Sequence, residues 1–421
     1  MRHHALSALL AASTALTCVA PAQAQSLDVV VEATLARSPD LAAARARADG
    51  ASARVDQARA ERMPSASVQG EVGVGRIDPQ GFFGLSADAV TPRALGFGTE
   101  LPLYTGGRVG AAISQARAGE AAAQAGTAMS TLSLRIDVVR TYAEAVAARD
   151  TAAAYARMET MLTEALRQAR LKYETGAGTS TDMALAEARL AEAQAARAMA
   201  EGEQAAAHAA LRSLSGLDVV LDERLPVPPL PDLSMQAAVE RARANNPGIA
   251  AARAMVDVAR GGLSGARAGR LPTLGAYAEA ASVRDQFFPG YRADSASVGV
   301  RARWTLFDGG RAGSKVRAAE AELAERTAQL GAAEQEIERR TAAAYAALIG
   351  ADRALTAARA RRQASDAALR GVRLEVQAGA LPMLALLDAE RDAAAAAAEE
   401  TRALARRLVQ AEALAALLGG T

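Results

Sequence analysis

Two hydrophobic periods alternate along the chain. Between Met63 and Ile77 the even positions Ala66, Val68, Val72 and Val74 are apolar, while Ser67, Gln69, Glu71 and Gly73 are polar or small. From Leu95 the apolar set is Leu95, Phe97, Leu101 and Leu103, against Gly96, Gly98 and Glu100. Ala296, Val298, Val300, Ala302, Trp304 and Leu306 oppose Ser295, Ser297, Gly299, Arg301 and Arg303. A fainter run after Pro272 sets Leu274, Ala276, Ala278 and Ala280 against Tyr277 and Glu279. Period two over about ten residues predicts half-buried strands, at about 65–77, 94–104, 273–283 and 295–306.

Elsewhere the period is helical. Val316, Leu323, Leu330, Ile337 and Ala344 recur every seven residues, and Leu132, Ile136, Val139, Ala143 and Val146 alternate steps of four and three. No proline interrupts Arg108 to Tyr173 or Arg311 to Val376. At about 1.5 Å per residue, each predicted helix would be on the order of 100 Å long. Apolar heptads sustained over that length signal a coiled coil. Each helix reaches a tight turn, "YETGAGTSTD" or "VQAGALPM", and a helix runs back over Asp182 to Leu214 or Pro382 to Leu418. The shorter helices predicted before the strands, Leu41 to Arg62 and Ile249 to Arg270, can stack end to end on the returning ones.

Every one of these elements occurs twice. "LPLYTGGRVG" from Leu101 returns as "TLFDGGRAG" from Thr305, matching Tyr104 with Phe307, Thr105 with Asp308 and Arg108 with Arg311 at an offset of 203. "SPDLAAARA" from Ser38 returns as "NPGIAAARA" from Asn246 at an offset of 208, and "RLKYETGAG" from Arg170 returns as "RLEVQAGAL" from Arg373 at 203. The five-residue difference lies between Pro64 and Tyr104. The chain therefore reads as a first repeat over 25–215, with its helical hairpin at 106–215, and a second over 235–421, with its hairpin at 308–418. A linker at 216–234 carries Pro226, Pro228, Pro229 and Pro231. Thr105 and Asp308 are read as N-caps that end a strand, and Gly106, Gly107, Gly309 and Gly310 as the glycines of a sharp strand-to-helix turn.

Composition sharpens this. Hydrophobic residues make up 51% but aromatics only 3%, so alanine dominates, which favours thin, closely packed helices over a thick core. Arg2, His3 and His4 precede an apolar run from Ala5 to Ala20, and Ala22-Gln23-Ala24 supplies a small-x-small site, so residues 1–24 read as a secretory signal peptide cut after Ala24 or Ala22. Thr17 stands where a small residue is wanted before an acylated cysteine, which argues against lipidation of Cys18. The leader holds one of the 48 basic residues, leaving a number equal to the 47 acidic ones, and a neutral mature chain argues against nucleic acid. No later segment offers a transmembrane helix. Four strands cannot close a barrel, and an open edge with an apolar face aggregates. Three chains would close twelve strands, apolar face to lipid and polar face to the lumen. The fold class expected is mainly α with a small β part: two strand–strand–long-helix repeats in a trimeric twelve-stranded barrel continued by an α-helical coiled-coil barrel. Glu71, Glu100, Glu279, Arg301 and Arg303 then face the lumen. Tyr104, Trp304 and Phe307 fit an aromatic girdle at the inner interface, or else pack at the strand-to-helix junction.

With the duplicated unit, the "LYTGGR" and "LFDGGR" junctions, and the tip turns "YETGAGTSTDMALAEA" and "VQAGALPMLALLDAE", the whole mature chain resembles the TolC-like outer membrane efflux proteins. The resemblance implies a homotrimer in the outer membrane of a Gram-negative bacterium, extending into the periplasm. It implies a periplasmic adaptor that grips the helical tips at Gly176, Gly178 and Gly379, and an inner-membrane transporter behind it. It implies an exit duct for efflux or type I secretion, with a tip constriction onto which Thr181, Asp182 and Asp388 map. Asp182 also reads as an N-cap of the returning helix, and Asp388 as a solvated helix position. The chain departs from the family where Ala385 replaces a second Asp and where Val376 and Leu381 stand in place of a latching Tyr and Arg. The competing reading is a periplasmic coiled-coil adaptor or scaffold without a pore. His208, the only histidine after the leader, makes no metal cluster, and no catalytic set or cofactor-binding loop can be assembled. The chain reads as a non-enzyme with no cofactor.

Overall fold

The computed structural model describes residues 26–78, 88–221 and 224–420. The expected leader with Cys18, and Phe82 and Phe83 between the first two expected strands, lie outside the described residues. The chain divides into two compact units.

One unit comprises residues 37–136, 229–352 and 410–421 and carries the sheets. Its helices α2 (Pro39–Ala60) and α6 (Pro247–Ala268) start alike: a proline in the first turn, preceded by an N-cap, Ser38 or Asn246, whose side-chain oxygen accepts a backbone N–H. α5 (Met235–Asn245) buries Ala238 and Ala242 against Leu348 of α7 (Arg311–Gln377) and Leu414 of α8 (Met383–Leu417). Asn246 fastens the end of α8 by donating from Nδ2 to the Leu417 carbonyl at 3.0 Å.

The main sheet is antiparallel, in the order β1 (Ser65–Val72), β4 (Arg93–Tyr104), β5 (Thr273–Arg284), β6 (Arg292–Arg303). Its register sorts the two faces. Val68, Phe97, Ala280 and Ala296 form one transverse row, and Ser67, Gly98, Glu279 and Ser297 form the next row, on the opposite face. β1 and β6 each pair on one side only, so both outer edges are open. The strand expected over 65–77 is interrupted. Gly73 donates its N–H to the Pro92 carbonyl at 2.9 Å, and β2 (Gly75–Ile77) pairs separately with β3 (Asp88–Val90). Glycine and proline break the ladder there. β6 ends at Arg303, short of the expected 306, because the Trp304 indole donates to the Arg270 carbonyl at 3.1 Å and leads the chain out of the ladder.

The other unit comprises residues 26–36 of the described chain, 137–228 and 353–409. It holds α1 (Leu27–Arg37, less its last residue), the later part of α3 (Arg108–Glu174), α4 (Ser180–Ser215), and the hairpin of α7 and α8. Its core joins Met158, Leu162, Ala165 and Ala169 of α3 to Ala186 and Ala193 of α4, and to Val376, Met383 and Leu387 of the second hairpin. Ala186, Ala193 and Ala200, seven residues apart, are all buried. This is where the alanine-rich composition acts: a methyl at each heptad step lets the helices approach closely, with the leucines filling the space between.

Candidate functional site

Three places carry the residues singled out by the sequence: the strand-to-helix junctions, the polar face of the sheet, and the hairpin tips.

At the junctions, Gly106 and Gly107 have φ of 61° and 87°, and Gly309 and Gly310 have 67° and 84°. Two successive left-handed residues fold the chain back, so the capping group reaches the helix from further out than an N-cap would. Thr105 Oγ1 accepts the Val109 N–H at 3.4 Å, and Asp308 Oδ2 accepts the Ala312 N–H at 2.6 Å. α3 begins at Arg108 and α7 at Arg311. Thr105 and Asp308 thus cap from two residues before the N-cap position, correcting the simple N-cap reading. Tyr104, Trp304 and Phe307 lie at this same end of the sheet, all exposed.

On the sheet, the register places Glu71, Glu100, Glu279, Arg301 and Arg303 on one face. Arg301 donates to Glu279 at 3.1 Å and lies 4.4 Å over the Tyr277 ring, a charge pair supported by cation–π contact. The Gly299 position, where a Cβ would stand 3.1 Å from that ring, leaves room for Tyr277 to lie across the face. Ser65, Ser67, Gln69 and Glu100 border the adjoining shallow cleft of about 340 Å³. The opposite face exposes Val68, Val72, Val298 and Val300 at 70%, 76%, 83% and 61%, too much apolar surface to leave in water.

At the tips, α3 and α7 end in the same motif. Gly176 donates to the Tyr173 carbonyl and Ala177 to Lys172; Gly379 donates to Val376 and Ala380 to Glu375. With φ of 75° and 76°, Gly176 and Gly379 occupy the left-handed position of this helix stop. Gly178 differs, since its φ is not positive. A side chain there would meet Lys172 Cβ at 3.0 Å, so it is needed for close approach.

The N-cap of α4 is Thr179, not Asp182. Asp182 is the third residue of the helix, and its carboxylate accepts the Thr179 N–H at 3.3 Å in a capping box. Thr181 is exposed beside it. Asp388 is half-buried and accepts from Arg189 of α4 at 3.1 Å, with Arg391 3.8 Å away. Arg189 also donates to Glu192 at 2.8 Å; Glu192 first, and Asp388 after it, raises the guanidinium pKa above its ordinary value. Asp388 therefore ties the second hairpin to the first, while Asp182 is bound within its own turn. Val376 is buried in the apolar core and Leu381 packs against it, so neither position is free to carry a surface latch.

Sequence reasoning missed Arg189, and it missed pairs that the repeat offset could have revealed. Arg170–Glu187 and Arg373–Glu390 are counterparts at 203, bonded at 3.4 and 2.6 Å. Glu159–Arg197 at 2.8 Å and Arg362–Glu400 at 3.0 Å are also counterparts, with the charges exchanged. The first repeat exposes its Arg170 pair, whereas Glu390 keeps only 10% of its side chain exposed.

A family model for outer membrane efflux proteins matches residues 30–217 and 238–420. The chain is 29% identical over 311 residues to protein CyaE of Bordetella pertussis, covering 71% of this chain and 64% of that one. It is 33% identical over 194 residues to the alkaline protease secretion protein AprF of Pseudomonas aeruginosa, covering 44% and 40%. These alignments span less than two thirds of either relative's length. The Campylobacter jejuni CmeC outer membrane channel superposes with a TM-score of 0.81 at 16% identity, covering 94% of this chain and 85% of that one, which shows a shared fold.

Proposed function

The chain belongs to the outer membrane efflux protein family, and from that premise we propose that it is an outer-membrane exit duct of a tripartite efflux or type I secretion system. Three copies close their four-stranded sheets into one barrel, and their hairpins converge toward the partner proteins, a periplasmic adaptor and an inner-membrane transporter. The observation that carries this is the sheet. It has two open edges, one face of exposed valines and one of glutamates, serines and arginines. No helix among the described residues is long and apolar enough to cross a membrane; the valine face of the strands is what this reading puts against lipid. An adaptor without a pore has no use for a strand face that only hydrocarbon can cover.

The tip is the gate in this reading, and Asp388 is its acidic group, partly neutralised by Arg189. In planar bilayers the wild-type duct should be weakly cation-selective and blocked by multivalent cations from the periplasmic side. Arg189→Ala should release the three symmetry-related carboxylates and deepen both effects, while Asp388→Ala should remove most of the block. Block unchanged in both variants would place Asp388 outside the pore.

A further inference from the structure

At the loop end of the sheet the register brings three arginines side by side. Arg93 of β4 is opposite Arg284 of β5, which is opposite Arg292 of β6. The alternation puts all three on the same face as Phe97, Ala280 and Ala296, four residues further along each strand, with Leu95, Ser282 and Asp294 on that face between them. Only Arg284 is neutralised among the described residues, by Asp294 at 2.9 Å. Like charges directly across a sheet repel, and Arg93 and Arg292 make no ion pair among the described residues.

We propose that this row binds the phosphate headgroups of outer-leaflet lipid, three arginines per chain and nine around the closed trimer. The proposal rests on the lipid-facing reading of the valine face. Along β5, Arg284 stands ten residue steps beyond Leu274 at the opposite, junction end. At roughly 3.3 Å per residue and ~40° of tilt they span about 25 Å along the barrel axis, the height of a barrel's apolar band. The arginine row therefore falls where hydrocarbon gives way to headgroups, the depth at which a charged side chain costs little. This is also the outer end, since the opposite end of the strands runs into the long helices, while β5 and β6 are joined here by a short loop. Asp285 braces that loop, accepting the Gly290 N–H at 2.6 Å, and within it the Phe287 and Tyr291 rings pack edge to face. Arginine suits the task, because its planar fork binds phosphate oxygens two at a time.

The test reconstitutes the full-length trimer into phosphatidylcholine vesicles doped with phosphatidic acid and counts the lipids retained by native mass spectrometry. Wild type should prefer phosphatidic acid by at least about tenfold, and Arg93→Gln with Arg292→Gln should reduce that to within about twofold while inserting equally well. An absent preference, or one that survives the double substitution, overturns the inference and leaves the barrel standing. Displacement of the lipid by equimolar inorganic phosphate would make the row a site for free phosphate and also overturn it. Failure to insert even into phosphatidylcholine would instead overturn the barrel reading on which it rests.

Discussion

Gly106→Ala should cost the assembled protein about 3–4 kcal/mol, against about 1–2 kcal/mol for Gly309→Ala, though the two glycines are counterparts in the repeat. Both have positive φ, 61° and 67°, so any side chain incurs the left-handed penalty at either position. The surroundings differ. A Cβ on Gly106 would stand 2.7 Å from Leu271 Cβ and 3.0 Å from the Ala268 carbonyl, while one on Gly309 meets nothing within 4 Å. The end of α6 therefore packs over the first junction, and a methyl there must displace backbone. Urea midpoints of the purified variants, compared with wild type, give the ranking. Equal losses at both positions would mean that the packing of α6 over the first turn contributes nothing.

Arg373→Met should destabilise the tip by about 3 kcal/mol, whereas Arg170→Met, the counterpart in the first repeat, should cost less than about 1 kcal/mol. Glu390 is the reason. It keeps 10% of its side chain exposed, and Arg373 is 2.6 Å away. Removing the guanidinium leaves a carboxylate with little water to solvate it. Glu187 is 49% exposed and 3.4 Å from Arg170, so water and salt replace its partner readily. Adding Glu390→Gln to Arg373→Met should recover most of the loss, since an amide tolerates that position without a cation. Hydrogen exchange along residues 365–395 reads the effect locally. No recovery in the double variant would mean that the arginine stem, rather than its charge, stabilises the hairpin.

The fold was largely legible because its periods are long and its unit is written twice. Seven-residue repeats over α3 and α7 and two-residue alternation over β4 to β6 leave little ambiguity between helix and strand. The misreadings have local causes. The strand expected through residue 77 stops at Val72 because Gly73 and Pro92 redirect its hydrogen bonds. Asp182 looked like a cap because it stands near the start of α4, but Thr179 is three residues earlier with the same chemistry and a better position. Side-chain partnerships were harder. Asp388 could be placed on a helix from sequence, but its bond to Arg189 spans 199 residues and depends on how two hairpins pack. The Arg93–Arg284–Arg292 row was invisible for the same reason, as it exists only once the strand register is known. The Arg373–Glu390 pair, with its buried carboxylate, could have been found, because its exposed counterpart lies at the repeat offset.

The most direct test of the account is the molar mass of the mature protein in detergent, measured by light scattering on material extracted from outer-membrane fractions. In the proposed assembly the open-edged, two-faced sheet closes with copies of itself in lipid, so the protein should leave the membrane only with detergent and have the mass of three chains. A monomer recovered without detergent from a periplasmic extract, folded and soluble, would contradict it.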